Sequence, residues 1–457
     1  AQAQAQAAAA IAAIAGGERS KDRQNAVVKA GGLRPILALL GSRYHSAQCM
    51  ALHALANVAM DNLSNQDEIA RLEGLPPLIS LLSSGSSAPD VQMYAARALA
   101  ALVKHNNHNQ SIVTDIGAIP LLVSLLRATN VPSVEAAATG ALWALSVGNA
   151  TNQGSVASAG AVSLLVSMLG SRSGEAANLA GNALSSIGLD NPAGLREISK
   201  MLVELMITAR RESTQERAAA TLWRLVRQNL SQQLEIAKAG GAQPLVRLLR
   251  DGPPGGRSFA LWSLSLCIDD SNRAMVVESG AIQPLVDDLS SSDIAVAEQA
   301  AGALNKLANR HTIEMIANAG AVSPLVALLD RSGECAEIRQ HAAGALSALA
   351  MIPSLRVAIE RAGGISPLVA LLTDPLSSES SKSSTALALG LLSHESDDEE
   401  AIPANEEMKE DEDKLPKQLG RISRKTLIAQ EGAIGPLVRL LSEDGKELQE
   451  TAAGALK

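Results

Sequence analysis

Apolar residues along this chain recur in two alternating phrases separated by polar stretches. The first reads "GAVSPLVALL" from Gly320 and "GGISPLVALL" from Gly363. Looser copies start at Gly31, Glu73, Gly117, Gly160, Glu197, Gly240, Gly280 and Gly432. Aligned on the sixth position, they place Ile36, Leu78, Leu122, Leu165, Leu202, Leu245, Leu285, Leu325, Leu368 and Leu437 in register. The separations are 42, 44, 43, 37, 43, 40, 40, 43 and 69, so the chain is a tandem array with one interruption. The second phrase follows about twenty residues later, as in "ALHAL" at 51–55, "ALWAL" at 141–145, "TLWRL" at 221–225 and "ALSAL" at 345–349. Within 91–104, Val91, Ala95, Ala98, Leu99 and Leu102 fall three to four apart, which is one face of a helix. Alanine and leucine dominate both phrases, and the period-two alternation of strands is missing.

Punctuation completes the unit. Gly31, Gly117, Gly160, Gly320 and Gly363 follow short apolar segments, where glycine suits the left-handed residue that ends a helix. Pro35, Pro77, Pro120, Pro244, Pro284, Pro324 and Pro367 come three or four residues later, suited to the first turn of the next helix. Each unit therefore reads as a short helix, a glycine corner, a second helix, a loop and a longer third helix. This pattern resembles the armadillo repeat over essentially the whole chain. HEAT repeats, the nearest rival, use two helices and lack the glycine corner. The resemblance implies an all-α, right-handed superhelical solenoid of about ten repeats, its third helices lining a concave groove. In such an array each unit touches only its neighbours and the core is a continuous spine. The expected division is a partial leading repeat at 1–30 and nine repeats over 31–392. An acidic insertion at 393–420 and a truncated final repeat at 421–457 follow. "AIAAI" at 10–14 and "AAGALK" at 452–457 both read as parts of third helices, which suggests a fragment of a longer array.

Composition sharpens this. Apolar residues make up 47% of the chain, yet there are only three Trp, two Tyr and one Phe. An Ala/Leu spine brings helices close and leaves little room for rings. Cys49, Cys267 and Cys335 are far apart and form neither a CxxC pair nor an even framework, which points to the cytosol or nucleus. No stretch resembles a signal peptide or spans a bilayer, so membrane insertion is not expected. Residues 395–417 hold eleven acids against three lysines, a net of −8, which equals the net charge of the entire chain. Such a block is expected to be solvated and disordered, as a tolerated loop or a regulatory tail. "RIS" beside it resembles a basophilic kinase substrate and makes Ser423 a candidate phosphosite.

Catalytic signatures are lacking. There is no GxxxxGK loop and no GxSxG, and "GPPGG" at 252–256 follows a helix rather than a strand. His105 and His108 in "KHNNHNQ" have a metal-like spacing, but no Cys or acid accompanies them, and a solvated polar loop is the favoured reading. No catalytic residue, metal site or cofactor is assigned. A near-neutral body and a sequence pI near 5.5 disfavour nucleic acid.

Candidate binding residues lie on the third helices. Nuclear import adaptors, a branch of the family, carry tryptophan followed four residues later by asparagine on successive third helices. The first positions here are His53, Ala100, Trp143, Ser185, Trp223, Trp262, Asn305 and Ser347. The fourth-next are Asn57, Lys104, Val147, Leu189, Arg227, Leu266, Asn309 and Met351, on the same face by spacing. No tryptophan is followed by asparagine, so the chain diverges from that branch. Trp223, Arg224, Arg227 and Trp262, with Lys104 further off, instead suggest a groove for an extended or helical protein segment with acidic and apolar residues. Small residues one turn earlier, Thr139, Gly181, Ala219, Ser258 and Ala301, would leave it open. Core packing between third helices is the alternative reading of the tryptophans. The function expected is a non-enzymatic protein-binding scaffold, cytoplasmic or also nuclear, of undetermined oligomeric state. The recognition arm of a larger ubiquitin ligase and a nuclear import adaptor are the alternatives.

Overall fold

A computed structural model describes residues 2–17, 21–83, 88–228, 242–270, 272–330, 336–394, 423–441 and 446–456. Every regular element among these residues is an α-helix. The chain divides into two compact units, Ala1–Ser263 and Leu264–Lys457.

Both units are built from the three-helix module that the sequence predicts. In the first unit, Leu63–Arg71, Leu75–Ser80 and Pro89–Val103 form one module, followed by Asn107–Asp115, Ala118–Ala128 and Pro132–Ser146. In the second unit, Pro353–Arg361, Ile365–Thr373 and Glu379–Ser393 do the same. The helical period sets the core. Val91, Ala95, Ala98, Leu99 and Leu102 of the third helix are each 0% exposed, together with Leu78 and Ile69 from the two shorter helices. Alanine on the inward stripe lets successive third helices approach closely, which is why the spine tolerates so few rings.

The corner between first and second helices is a backbone requirement. Gly31, Gly117, Gly160, Gly280, Gly320, Gly363 and Gly432 all have φ between 74° and 90°, a region closed to most side chains. Glu73 holds the same position at φ 58° with a Cβ. Glu73→Gly should therefore stabilise its repeat by about 1 kcal/mol, measurable as a rise in the denaturant midpoint of the full chain.

One module departs from the expected three helices. Pro192–Thr208 is a single 17-residue helix where a first and second helix should stand apart. Its stretch "REISKMLV" has no glycine at the corner, so the chain runs straight through. The lost corner accounts for the short interval of 37 residues between Leu165 and Leu202.

The stretch "KHNNHNQ" also differs from its sequence reading as a solvated loop. Asn107–Asp115 is a helix, and Asn106, Asn109 and Gln110 are buried. Asn106 caps this helix by accepting from the Asn109 N–H, and the Asn109 amide donates to Leu102 O at 3.0 Å. Gln110 Nε2 reaches across to the next third helix, donating to Ala144 O at 2.9 Å and Val147 O at 3.2 Å. Its Oε1 accepts from Asn149, the cap of the following first helix, at 3.0 Å. The pattern Asn-x-x-Asn-Gln repeats at 62–66 and 149–153, and Gln66 donates to Ala59 O and Ala101 O. Arginine does a similar task in the second unit, where Arg356 donates to Ala350 O and His394 O. These side chains satisfy carbonyls that every helix C-terminus leaves unpaired.

The acidic stretch 395–417 lies outside the described residues. On its far side Arg424, 3% exposed, donates to Leu392 O at 2.8 Å and His394 O at 3.0 Å and pairs with Glu360 at 3.6 Å. The final module, Arg424–Gln430, Ile434–Leu440 and Lys446–Ala455, thus docks directly on the helix that ends before the insertion. No single described helix is long and apolar enough to cross a membrane.

Candidate functional site

The first unit contains a cavity of about 470 Å³ walled by third helices from successive modules. His45–Ala59, Pro89–Val103, Pro132–Ser146 and Gly174–Leu189 all contribute side chains. The floor consists of Ala56, Ala100, Ala101, Ala137, Gly140 and Ala144, small residues dictated by close helix packing. Larger side chains form the rim. His53 and Tyr94 stack with ring centroids 5.6 Å apart, and Trp143 lines the opposite side, half-buried.

Two ion pairs flank this apolar floor. Lys104 Nζ lies 2.9 Å from Asp61, and Arg97 lies 3.9 Å from Glu175. All four side chains are between 41% and 64% exposed, so each pair is weak and readily exchanged for a partner's charge. Asn57 Nδ2 donates to Ala12 O at 2.8 Å and faces His53 Nε2 at 3.3 Å.

Four of the predicted residues, His53, Asn57, Lys104 and Trp143, therefore converge on one cavity. A second group, Trp223, Arg227 and Trp262, meets elsewhere in the same unit. Trp223 and Trp262 have centroids 5.1 Å apart, and Arg227 stacks over the Trp223 ring at 4.9 Å. Phe259 completes this cluster, 5.5 Å from Trp262 and 5.9 Å from Trp223.

Arg224 is turned away from this group. Its guanidinium donates to Asn182 and to Thr221, and burial holds its pKa below the ordinary arginine value. It also fills the space beside Gly181, one of the small residues expected to leave the groove open. Asn305 and Asn309 belong to the second unit. Asn309 lies beyond the end of its helix, Ile294–Leu307, and its Oδ1 accepts from the His311 N–H at 2.8 Å. Lys104, Val147 and Met351 likewise fall at or after their helix ends, so spacing alone overstated the shared face. Asn106 and Asn149 cap the helices that follow Lys104 and Val147, each two residues further on. Ser423 is the N-cap of Arg424–Gln430, accepting from Thr426 N–H at 3.4 Å.

Tyr94 and Arg97 were not singled out by sequence. Their signal was the spacing 94, 97, 100 and 104, the side of the helix opposite its buried stripe. His105 has φ 58° on the loop and lines the cavity, while His108 is exposed on the next helix. Burial pushes the Cys267 thiol up to about 12 and raises Cys49, which leaves neither poised as a nucleophile. Cys335 lies outside the described residues.

The family model of the armadillo/beta-catenin-like repeat matches residues 63–103, 269–308, 309–351 and 424–457. An engineered protein of known crystal structure superposes with a TM-score of 0.69 at 28% identity, covering 93% of this chain and 98% of that one. The chain carries armadillo repeats. The armadillo matches fall in both units and include the module that resumes after the acidic stretch. A designed armadillo repeat protein aligns at 24% identity with a TM-score of 0.44, covering 56% of this chain and 98% of its own length. No curated protein matches the armadillo chain by sequence. Armadillo arrays are general protein-binding scaffolds, typically without enzymatic activity.

Proposed function

We propose that this chain is a non-enzymatic scaffold whose first unit holds a partner's extended or helical segment against its third helices. The observation that carries this is the cavity of about 470 Å³ shared by four consecutive third helices. An apolar floor with exchangeable charges at its rim suits a bulky side chain flanked by polar ones. Trp143 is the natural anchor, being the largest half-buried side chain on the wall. The two asparagines at the import-adaptor position are both engaged within the chain, Asn57 with Ala12 O and Asn309 with His311. This favours a general scaffold over main-chain capture by an asparagine row.

A photo-crosslinking residue placed at Ala100, inside the cavity, should trap the partner from cells expressing the intact chain. The same group at Thr151, exposed on a first helix, should not. Trp143→Ala should weaken that partner's affinity by about tenfold or more. Equal trapping from both positions, with affinity unchanged by Trp143→Ala, would refute the proposal.

A further inference from the structure

We infer that the Trp223–Phe259–Trp262 cluster of the first unit, with Arg227 stacked on it, receives a protein segment in which carboxylates stand beside aromatic or aliphatic side chains. This rests on the scaffold reading and specifies one class of partner. Trp223 lies on Glu212–Gln228; Phe259 and Trp262 lie one turn apart on Pro254–Cys267. A chain with six rings of Trp, Tyr or Phe in 457 residues gathers three of them here. They are not needed to fill the spine, because Ala260, Leu261 and Leu264 on the same helix already do so. All three rings are half-buried, leaving adjoining aromatic surface in contact with water.

Arg227 decides the charge of the ligand. Its guanidinium lies 4.9 Å over the Trp223 ring, is exposed, and faces no carboxylate among the described residues. Stacking uses the flat face of the group and leaves its N–H edge free for a bidentate carboxylate. A partner's lysine or arginine is disfavoured, since one indole face is taken and the local charge is of the same sign. The surroundings agree. Residues 192–263 contain eleven Lys and Arg against six Asp and Glu, in a chain whose net charge is −8. Such a basic island steers acidic segments toward the rings. Of the two acids on the same helix, Glu212 and Glu216, the one nearer in sequence to Arg227, Glu216, is directed at Gly255.

Fluorescence anisotropy with the full chain tests this directly. The probes are a labelled peptide alternating Glu and Phe, a Lys/Phe peptide of equal length, and a labelled oligothymidylate. The Glu/Phe peptide should bind, more weakly as salt is raised, while the Lys/Phe peptide should not. Arg227→Glu should weaken it by about tenfold or more, whereas Arg196→Glu, the same charge change at an exposed position outside the cluster, should not. Trp262→Ala should weaken it too, with helicity checked by circular dichroism. The inference fails if Arg227→Glu and Arg196→Glu behave alike, if the oligothymidylate binds better, or if neither peptide binds. Loss of binding in Trp143→Ala with Arg227→Glu unaffected would move the ligand to the cavity. That result would overturn this inference and leave the scaffold reading standing, since cross-linking at Ala100 judges the latter separately.

Discussion

Gln110→Leu should destabilise the first unit by about 3 kcal/mol, although leucine is nearly isosteric and more apolar. Gln110 is fully buried and donates to two carbonyls at the end of Pro132–Ser146 while accepting from Asn149. Leucine removes the partner of all three groups, Ala144 O buried and Val147 O and Asn149 half-buried, and each such loss costs about 1–3 kcal/mol where water is kept out. Part of that cost is recovered by the apolar side chain and by water at the half-buried groups, hence a figure at the low end of the sum. Because this side chain bridges neighbouring modules, the damage should appear on both sides of it. Hydrogen exchange should accelerate across 132–158, and the denaturant midpoint of the full chain should fall. A shift below about 1 kcal/mol would mean that water replaces the amide.

Arg424→Leu should release the final module, again at about 3 kcal/mol or more, because it removes one member of a buried ion pair. Arg424 is 3% exposed, and it spans the carbonyls of Leu392 and His394 and the carboxylate of Glu360. Leu392 O would lose its donor and Glu360 a buried counter-charge, while His394 O keeps its bond from Arg356. Exchange should quicken over 424–456 and remain at its original rate in 63–103, which has no contact with Arg424. Arg424→Lys should recover only part of the loss, since an ammonium cannot reach three acceptors in one plane. Uniform acceleration along the whole chain would show that the module is held by other means.

Much of this fold was legible because its determinants are local. Glycine at φ 74–90° and an apolar residue every third or fourth position leave unmistakable marks on a sequence. The missing corner at 192–208 went unread, although its mark, the absence of glycine, stands in the sequence. What escaped was the work of polar side chains. Asn106, Asn109 and Gln110 look like a wet loop, and only their neighbours in space show that Asn106 caps a helix N-terminus while Asn109 and Gln110 donate to carbonyls at helix ends. The cavity followed the same rule. His53, Asn57, Lys104 and Trp143 were marked by position on their helices, but Tyr94 and Arg97 became members only when adjacent helices aligned. Arg224 was placed on the groove from its neighbours in sequence, yet the glycine at 181 draws it inward.

The continuous helix at 192–208 bears on how freely such modules can be exchanged. Repeats joined through a glycine corner share a common length and could be cut out or duplicated as cassettes. Residues 192–228 could not, because their span is shorter and their first two segments move as one rigid body. Any chimera that swaps this portion for an ordinary repeat must rebuild both junctions, so recombination between relatives should leave it whole.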